Sequence, residues 1–281
     1  MRYLYYSMAC YCCLTYFPCA AQEAGGEPEK KPTAGNKEVL PPTEISVVAL
    51  GAKPGRKYKH TEGGEAPIML LAKPGEVPPS QLFYRGKSAK DKKDGWKSFN
   101  LTFNSPSAMK AIAPGKELAL HKKLPNDGGY EKYITIPAGI EGSRRIFFLL
   151  PSVKGPTPWK KPPLVRTIAV DSKTLKGKQF ILKNLSHFPI LHAFEKSVAT
   201  VSPMETISYK RANTGELYRL AAQYGTKKKI IYNTAVRLNG DGHIHLFALY
   251  DASPKTNSGR SVGVFKTMIP ARKLPELAPK P

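Results

Sequence analysis

Gly142-Ser143-Arg144-Arg145-Ile146-Phe147-Phe148-Leu149-Leu150-Pro151 and Gly242-His243-Ile244-His245-Leu246-Phe247-Ala248-Leu249-Tyr250-Asp251 share one pattern. Each starts at a glycine, passes through two polar ring or guanidinium positions into a continuous apolar run, and stops at a residue that ends strands. Each also follows a basic, alternating segment. Apolar runs of this length between turn formers read as buried strands rather than helices. A pattern that occurs twice, in the same order relative to its neighbours, points to two related halves.

Working outward, the first half reads as short strands separated by turns. Ile45 to Leu50 is β-branched and ends at Gly51. Pro67 to Leu71 ends at Lys73-Pro74-Gly75, and Gln81 to Arg85 ends at Gly86. Trp96 to Phe103 places Trp96, Ser98, Leu101 and Phe103 on one side, with Phe99 off the pattern. Leu118 to His121 follows Pro114-Gly115. Tyr130, Lys132, Ile134 and Ile136 fall on one face, and Arg144 to Leu150 closes the set. The second half repeats the style in Val165–Val170, Gly177–Ser186, Ile190–Phe194, Thr206–Lys210, Tyr218–Tyr224, Lys229–Leu238, His243–Tyr250 and Ser261–Ile269. Asn239-Gly240 supplies the positive φ of a tight hairpin turn. The chain carries 26 prolines and 23 glycines, which punctuate it too often for long helices.

The fold class expected is therefore all-β: two tandem β-sandwich domains, Ig-like or Greek-key, after a signal peptide and a disordered linker. The boundaries are 1–21 for the signal, 22–43 for the linker, 44–153 and 165–272 for the domains, and 273–281 for a disordered tail. A proline-rich joint, 154–164, lies between the domains, with Trp159 placed to pin them together. Lys183-Asn184-Leu185-Ser186, Ser202-Pro203, Ile230-Ile231-Tyr232-Asn233 and Leu246 to Asp251 resemble uncharacterised secreted proteins of Verrucomicrobia-type bacteria. The resemblance covers most of the chain after residue 21. It implies a signal peptide and two β-rich halves, and it implies no activity or catalytic residue.

Residues 1–22 carry one cation, Arg2, then an uncharged stretch, then Pro18, with Cys19 and Ala21 as small residues before Gln22. This is the three-part layout of a secretory signal cut between Ala21 and Gln22. The uncharged run is too short to span a bilayer, so no transmembrane segment is expected after cleavage. A lipoprotein cut at Cys19 is the alternative, disfavoured by Tyr16-Phe17-Pro18. All four cysteines, Cys10, Cys12, Cys13 and Cys19, lie inside the signal. Cleavage removes thiolate nucleophiles, disulfides and iron–sulfur centres together, which suits a bacterial periplasmic or extracellular location.

The formal net charge is +23. That balance favours polyanionic surroundings, and export turns the expectation from nucleic acid to envelope polymers or another envelope protein. The densest basic spots are Lys90, Lys92 and Lys93, and Lys227, Lys228 and Lys229, each read as a loop that could grip an anionic polymer. The same lysines would also guard strand edges against aggregation.

No cofactor is expected. His243 and His245 share a strand face and could hold a metal, with His187 or His192 as a third ligand. Gly259-Arg260-Ser261-Val262-Gly263 matches a nucleophile elbow in letters but enters a strand with no helix behind it. Phosphate loops are missing, and few acids are available for a glycosidase pair. The leading expectation is an exported, non-catalytic protein of binding or assembly. The alternatives are a periplasmic assembly factor or chaperone with tandem sandwiches, and a metal-dependent enzyme using His243 and His245.

Overall fold

Apolar runs bounded by proline, glycine and asparagine become strands throughout. The structure, a computed structural model, describes residues 43–52, 54–55, 57–59, 66, 68–87, 94–112, 117–125, 128–137, 143–170, 180–194, 197–209, 216–236, 243–252, 259 and 261–270. The expected signal with its expected cleavage site Ala21/Gln22, the expected linker up to residue 42 and the 273–281 tail lie outside the described residues. The first half contains β1 (Thr43–Ala49), β2 (Lys57–Lys59), β3 (Ile68–Leu70), β4 (Gln81–Lys87), β5 (Asp94–Asn100), β6 (Lys110–Ile112), β7 (Leu118–Lys123), β8 (Tyr130–Ile136), β9 (Arg144–Leu150) and β10 (Leu164–Ala169). The second contains β11 (Phe180–Asn184), β12 (Ile190–Phe194), β13 (Ser197–Val201), β14 (Thr206–Tyr209), β15 (Glu216–Tyr224), β16 (Lys227–Val236), β17 (His243–Asp251) and β18 (Val262–Pro270). The fold is all-β, with no helix among the described residues.

The two halves share one topology. Sheets β10-β9-β1-β6 and β5-β4-β7-β8 make up the first, and β18-β17-β11-β14 and β13-β12-β15-β16 the second. In each half the opening strand runs parallel to the penultimate one, β1 beside β9 and β11 beside β17. The match extends to single bonds. Leu50 N–H donates to Leu149 O (2.9 Å), and Leu185 N–H donates to Leu249 O (2.7 Å). Asn104 N–H donates to Ala49 O (2.9 Å), and Met204 N–H to Asn184 O (2.8 Å). Asn104 and Met204 both have positive φ, 55° and 66°, so the same left-handed turn recurs. A register shift falls at Leu120/His121 in one half and at Leu220/Ala221 in the other. Among the described strands, only the β2–β3 hairpin has no counterpart.

Alternation along the strands sends side chains into three cores. Ile45, Val47, Leu82, Phe99, Leu120, Phe147 and Leu149 fill the first sandwich. Phe180, Leu182, Tyr218, Leu220, Phe247 and Leu249 fill the second. The residues between them on β1, β9, β11 and β17 face the other way. Val48, Leu50, Ile146 and Phe148 meet Ile181, Leu246, Ala248, Tyr250 and Phe265 in a third core that joins the halves. The sheets thus stack four deep, and strands β9 and β17 are apolar on both faces because both faces are covered.

The proline-dense stretch 154–164 carries the chain from β9 to its own sheet neighbour. β10 pairs antiparallel with β9, from Leu164 opposite Leu150 to Ala169 opposite Arg145. The passage between the equivalent halves comes after Val170. Proline cannot donate to a ladder and so marks a strand end, but that mark is the same for a loop within a sheet pair and for a joint between domains. Trp159 is buried in the first core, edge-on to Phe103 at 5.8 Å, and its carbonyl accepts the Tyr133 hydroxyl at 3.1 Å. It pins the loop to the first half and does not bridge the two.

Candidate functional site

The histidines suggested by the sequence do not converge. His243 is exposed at the start of β17, and His245 is buried two residues on. His187 Nδ1 contacts the Asp251 carboxylate at the far end of the same strand. Eight residues at about 3.3 Å each separate the two ends, so His187 cannot join His243. His192 lies inside the second sandwich, its Nε2 2.6 Å from the Tyr209 hydroxyl. Burial pushes the His192 imidazole below its ordinary value. Burial, then Lys266 and His243, push His245 the same way, which favours the neutral form of both rings. Both ring nitrogens of His245 are without a hydrogen-bond partner among the described residues. Among those residues, no group of three or more His, Cys, Asp or Glu could hold a metal.

The lysine candidates separate as well. Lys227, Lys228 and Lys229 open β16, an edge strand, opposite Tyr224, Gln223 and Ala222. Strand alternation puts Lys228 on one face and its two neighbours on the other. Lys229 Nζ donates to Gly259 O at 2.7 Å. Lys90, Lys92 and Lys93 fall in the β4–β5 connection, outside the described residues. Ser261 leads straight into β18.

A different constellation forms on the outer face of β5-β4-β7-β8. Leu82 and Tyr84 point into the first core, so Phe83 and Arg85 point out. Arg85 lies opposite Trp96 and Phe83 opposite His121. Trp96 stacks on Tyr130 with centroids 3.9 Å apart and rings 25° from parallel. His121 meets Trp96 edge-on at 5.1 Å, and Phe83 meets Tyr130 edge-on at 5.0 Å. The Arg85 guanidinium carbon sits 5.1 Å from the Trp96 ring centre. Lys132 pairs with His121, and Lys123 with Tyr130, both exposed. The nearby acid, Glu131, is engaged by Lys122 at 3.0 Å. Among the described residues no carboxylate pairs with Arg85 or Lys132, and His121 Nδ1 is buried without a hydrogen-bond partner.

A guanidinium laid against an indole is partly ordered before any ligand arrives, and its free N–H edges fit the paired oxygens of carboxylate, sulfate or phosphate. The second half supplies an internal comparison, because register assigns each position its counterpart. Phe83, Arg85, Trp96, His121 and Lys132 correspond to Leu191, Ala193, Val198, Ala221 and Ile230. The scaffold therefore does not require an aromatic and basic face.

Sequence reasoning missed this face for a specific reason. Tyr130 and Lys132 were expected to share a side with Ile134 and Ile136. The register shift at Leu120/His121 inserts Tyr133, so Tyr130 and Lys132 turn outward while Ile134 and Ile136 turn in. On β5, the fully buried Phe99 sets the inward side and Trp96 and Ser98 face out, the reverse of the simple alternation. No protein-family model matches this chain, and no curated protein matches it.

Proposed function

We propose that this chain is an exported, non-catalytic protein of the bacterial envelope that binds an anionic polymer through the outer face of the β5-β4-β7-β8 sheet. The observation that carries the reading is Arg85 held over Trp96 beside Lys132, at positions where the duplicated scaffold has Ala193, Val198 and Ile230. The net charge of +23 supplies long-range attraction, and the aromatic cluster supplies a fixed place for the contact.

The test is retention of the exported chain on acidic polysaccharide and on polyphosphate resins, eluted with salt. Arg85→Gln and Trp96→Ala should each elute at clearly lower salt, with affinity reduced about tenfold, as expected for loss of one charge-assisted contact. Lys227→Gln should elute close to the parent. Lack of retention of the parent, or equal elution of parent and Arg85→Gln, would count against the reading.

A further inference from the structure

We propose that the β2–β3 hairpin is an interfacial anchor that docks the protein on an anionic lipid surface. Among the described strands, the hairpin is the one pair that the duplication does not explain. In the second half the chain passes from Asn184 at the end of β11 to Ile190 at the start of β12, whereas the first half inserts the whole hairpin between Ala49 and Gln81.

Its composition is unlike the rest of the surface. Tyr58, Ile68, Met69, Leu70 and Leu71 are 48, 56, 52, 47 and 86% exposed. A contiguous cluster of large apolar side chains marks a contact with something other than water. Tyr58 lies opposite Met69, while Lys57 and Lys59 lie opposite Leu70 and Ile68. One face of the ribbon therefore carries Tyr58 and Met69 and the other carries Ile68 and Leu70 beside the two lysines, so exposed apolar side chains stand on both faces. A protein groove would cover one face, whereas a fluid interface takes in both.

Charge selects the kind of interface. Lys59 and Lys73 stand among the apolar residues with Lys57, which is paired with Glu76, and the exposed Lys160 and Lys161 adjoin the root. Glu76 is already committed, to Lys57 Nζ at 2.8 Å and to the Lys73 N–H at 3.0 Å. Long lysine stems can lie on apolar surface and raise their ammonium groups to phosphates. Glu62 and Glu65 belong to the connection, outside the described residues, and their charge suits water. The apolar band instead continues to Leu71, so the ribbon lies along the interface. The root is fixed: Trp159 N–H donates to Gly75 O at 2.9 Å, and Gly75, at φ +84°, packs against Lys160 so closely that a Cβ would be 3.2 Å from its side chain.

Flotation of the exported chain with vesicles tests this directly. The chain should float with phosphatidylcholine–phosphatidylglycerol vesicles and much less with phosphatidylcholine alone. Ile68→Ser/Leu71→Ser should reduce flotation about tenfold, as expected for loss of buried apolar area, with its thermal transition unchanged because both side chains are exposed. Arg85→Gln should float like the parent, which separates the hairpin from the polymer-binding face. Tryptophan at position 69, introduced as Met69→Trp, should be quenched by brominated acyl chains beyond the parent signal. Absence of flotation on the mixed vesicles, equal flotation of the double variant, or no added quenching would overturn the proposal.

Discussion

Gly263 lies directly opposite Tyr250 in the β17–β18 pair, and a Cβ on Gly263 would come within 2.5 Å of the Tyr250 ring. The missing side chain makes room for the ring, which lies in the central core and whose hydroxyl reaches Gly51 O at 3.5 Å. Gly263→Ala must displace the ring or the strand, and overpacking of this kind costs about 1–3 kcal/mol. Chemical denaturation should report that loss. Gly95→Ala, where nothing lies within 4 Å, should change stability little.

Phe148 and Phe265 meet edge-on at 6.0 Å across the central core. Phe148→Ala should cost about 3–5 kcal/mol. Because the residue serves the layer shared by both halves, fluorescence of Trp96 in the first half and amide exchange in the second should move together. Two separated transitions would mean that the halves unfold independently.

Asn184 is fully buried. Its side-chain NH2 lies 2.9, 3.0 and 3.1 Å from the carbonyls of Phe188, Val201 and Ser202, and its Oδ1 accepts the Ser186 N–H and hydroxyl. Asn184→Asp removes the donors and turns a carboxylate toward three carbonyl oxygens. A loss of about 3 kcal/mol or more is expected in urea unfolding.

Acid should destabilise the protein through His192 and His245, whose folded pKa values are lowered. Below the ordinary histidine value of about 6.5 the unfolded chain binds protons that the folded chain does not. Unfolding free energy should therefore be level above about pH 7 and fall as pH drops from about 6.5 toward the lowered folded values. His245→Leu, which removes an imidazole with neither nitrogen bonded among the described residues, should flatten the slope and hold or raise stability at pH 7. Denaturation midpoints across this range check both statements.

Much of the fold was legible because strand periodicity and turn chemistry are local. The apolar runs at Ile45–Leu50, Arg144–Leu150 and His243–Tyr250 had to be buried strands, and the likeness of the last two is the duplication itself. β2, β6 and β13 escaped notice, being short and, for β2 and β13, wholly or almost wholly exposed. The placement of β10 beside β9 depends on which sheet a strand joins, and proline content carries no information about that. The outer aromatic face was hidden by a one-residue register shift, since alternation read in one phase assigns every later side chain to the wrong side. His192 and His245 were readable as strand residues. What surrounds them was not, because inner faces are assembled from distant parts of the chain.

The central core has a further consequence for assembly. Two free sandwiches that met through Val48, Phe148, Leu246 and Phe265 would associate only as far as their concentration allowed. Here a short tether after Val170 makes the encounter intramolecular, at an effective concentration on the order of millimolar. The chain is in effect a covalently closed dimer whose two subunits no longer need to be alike, which frees one outer face to gather Arg85, Trp96, His121 and Lys132 where its twin has Ala193, Val198, Ala221 and Ile230.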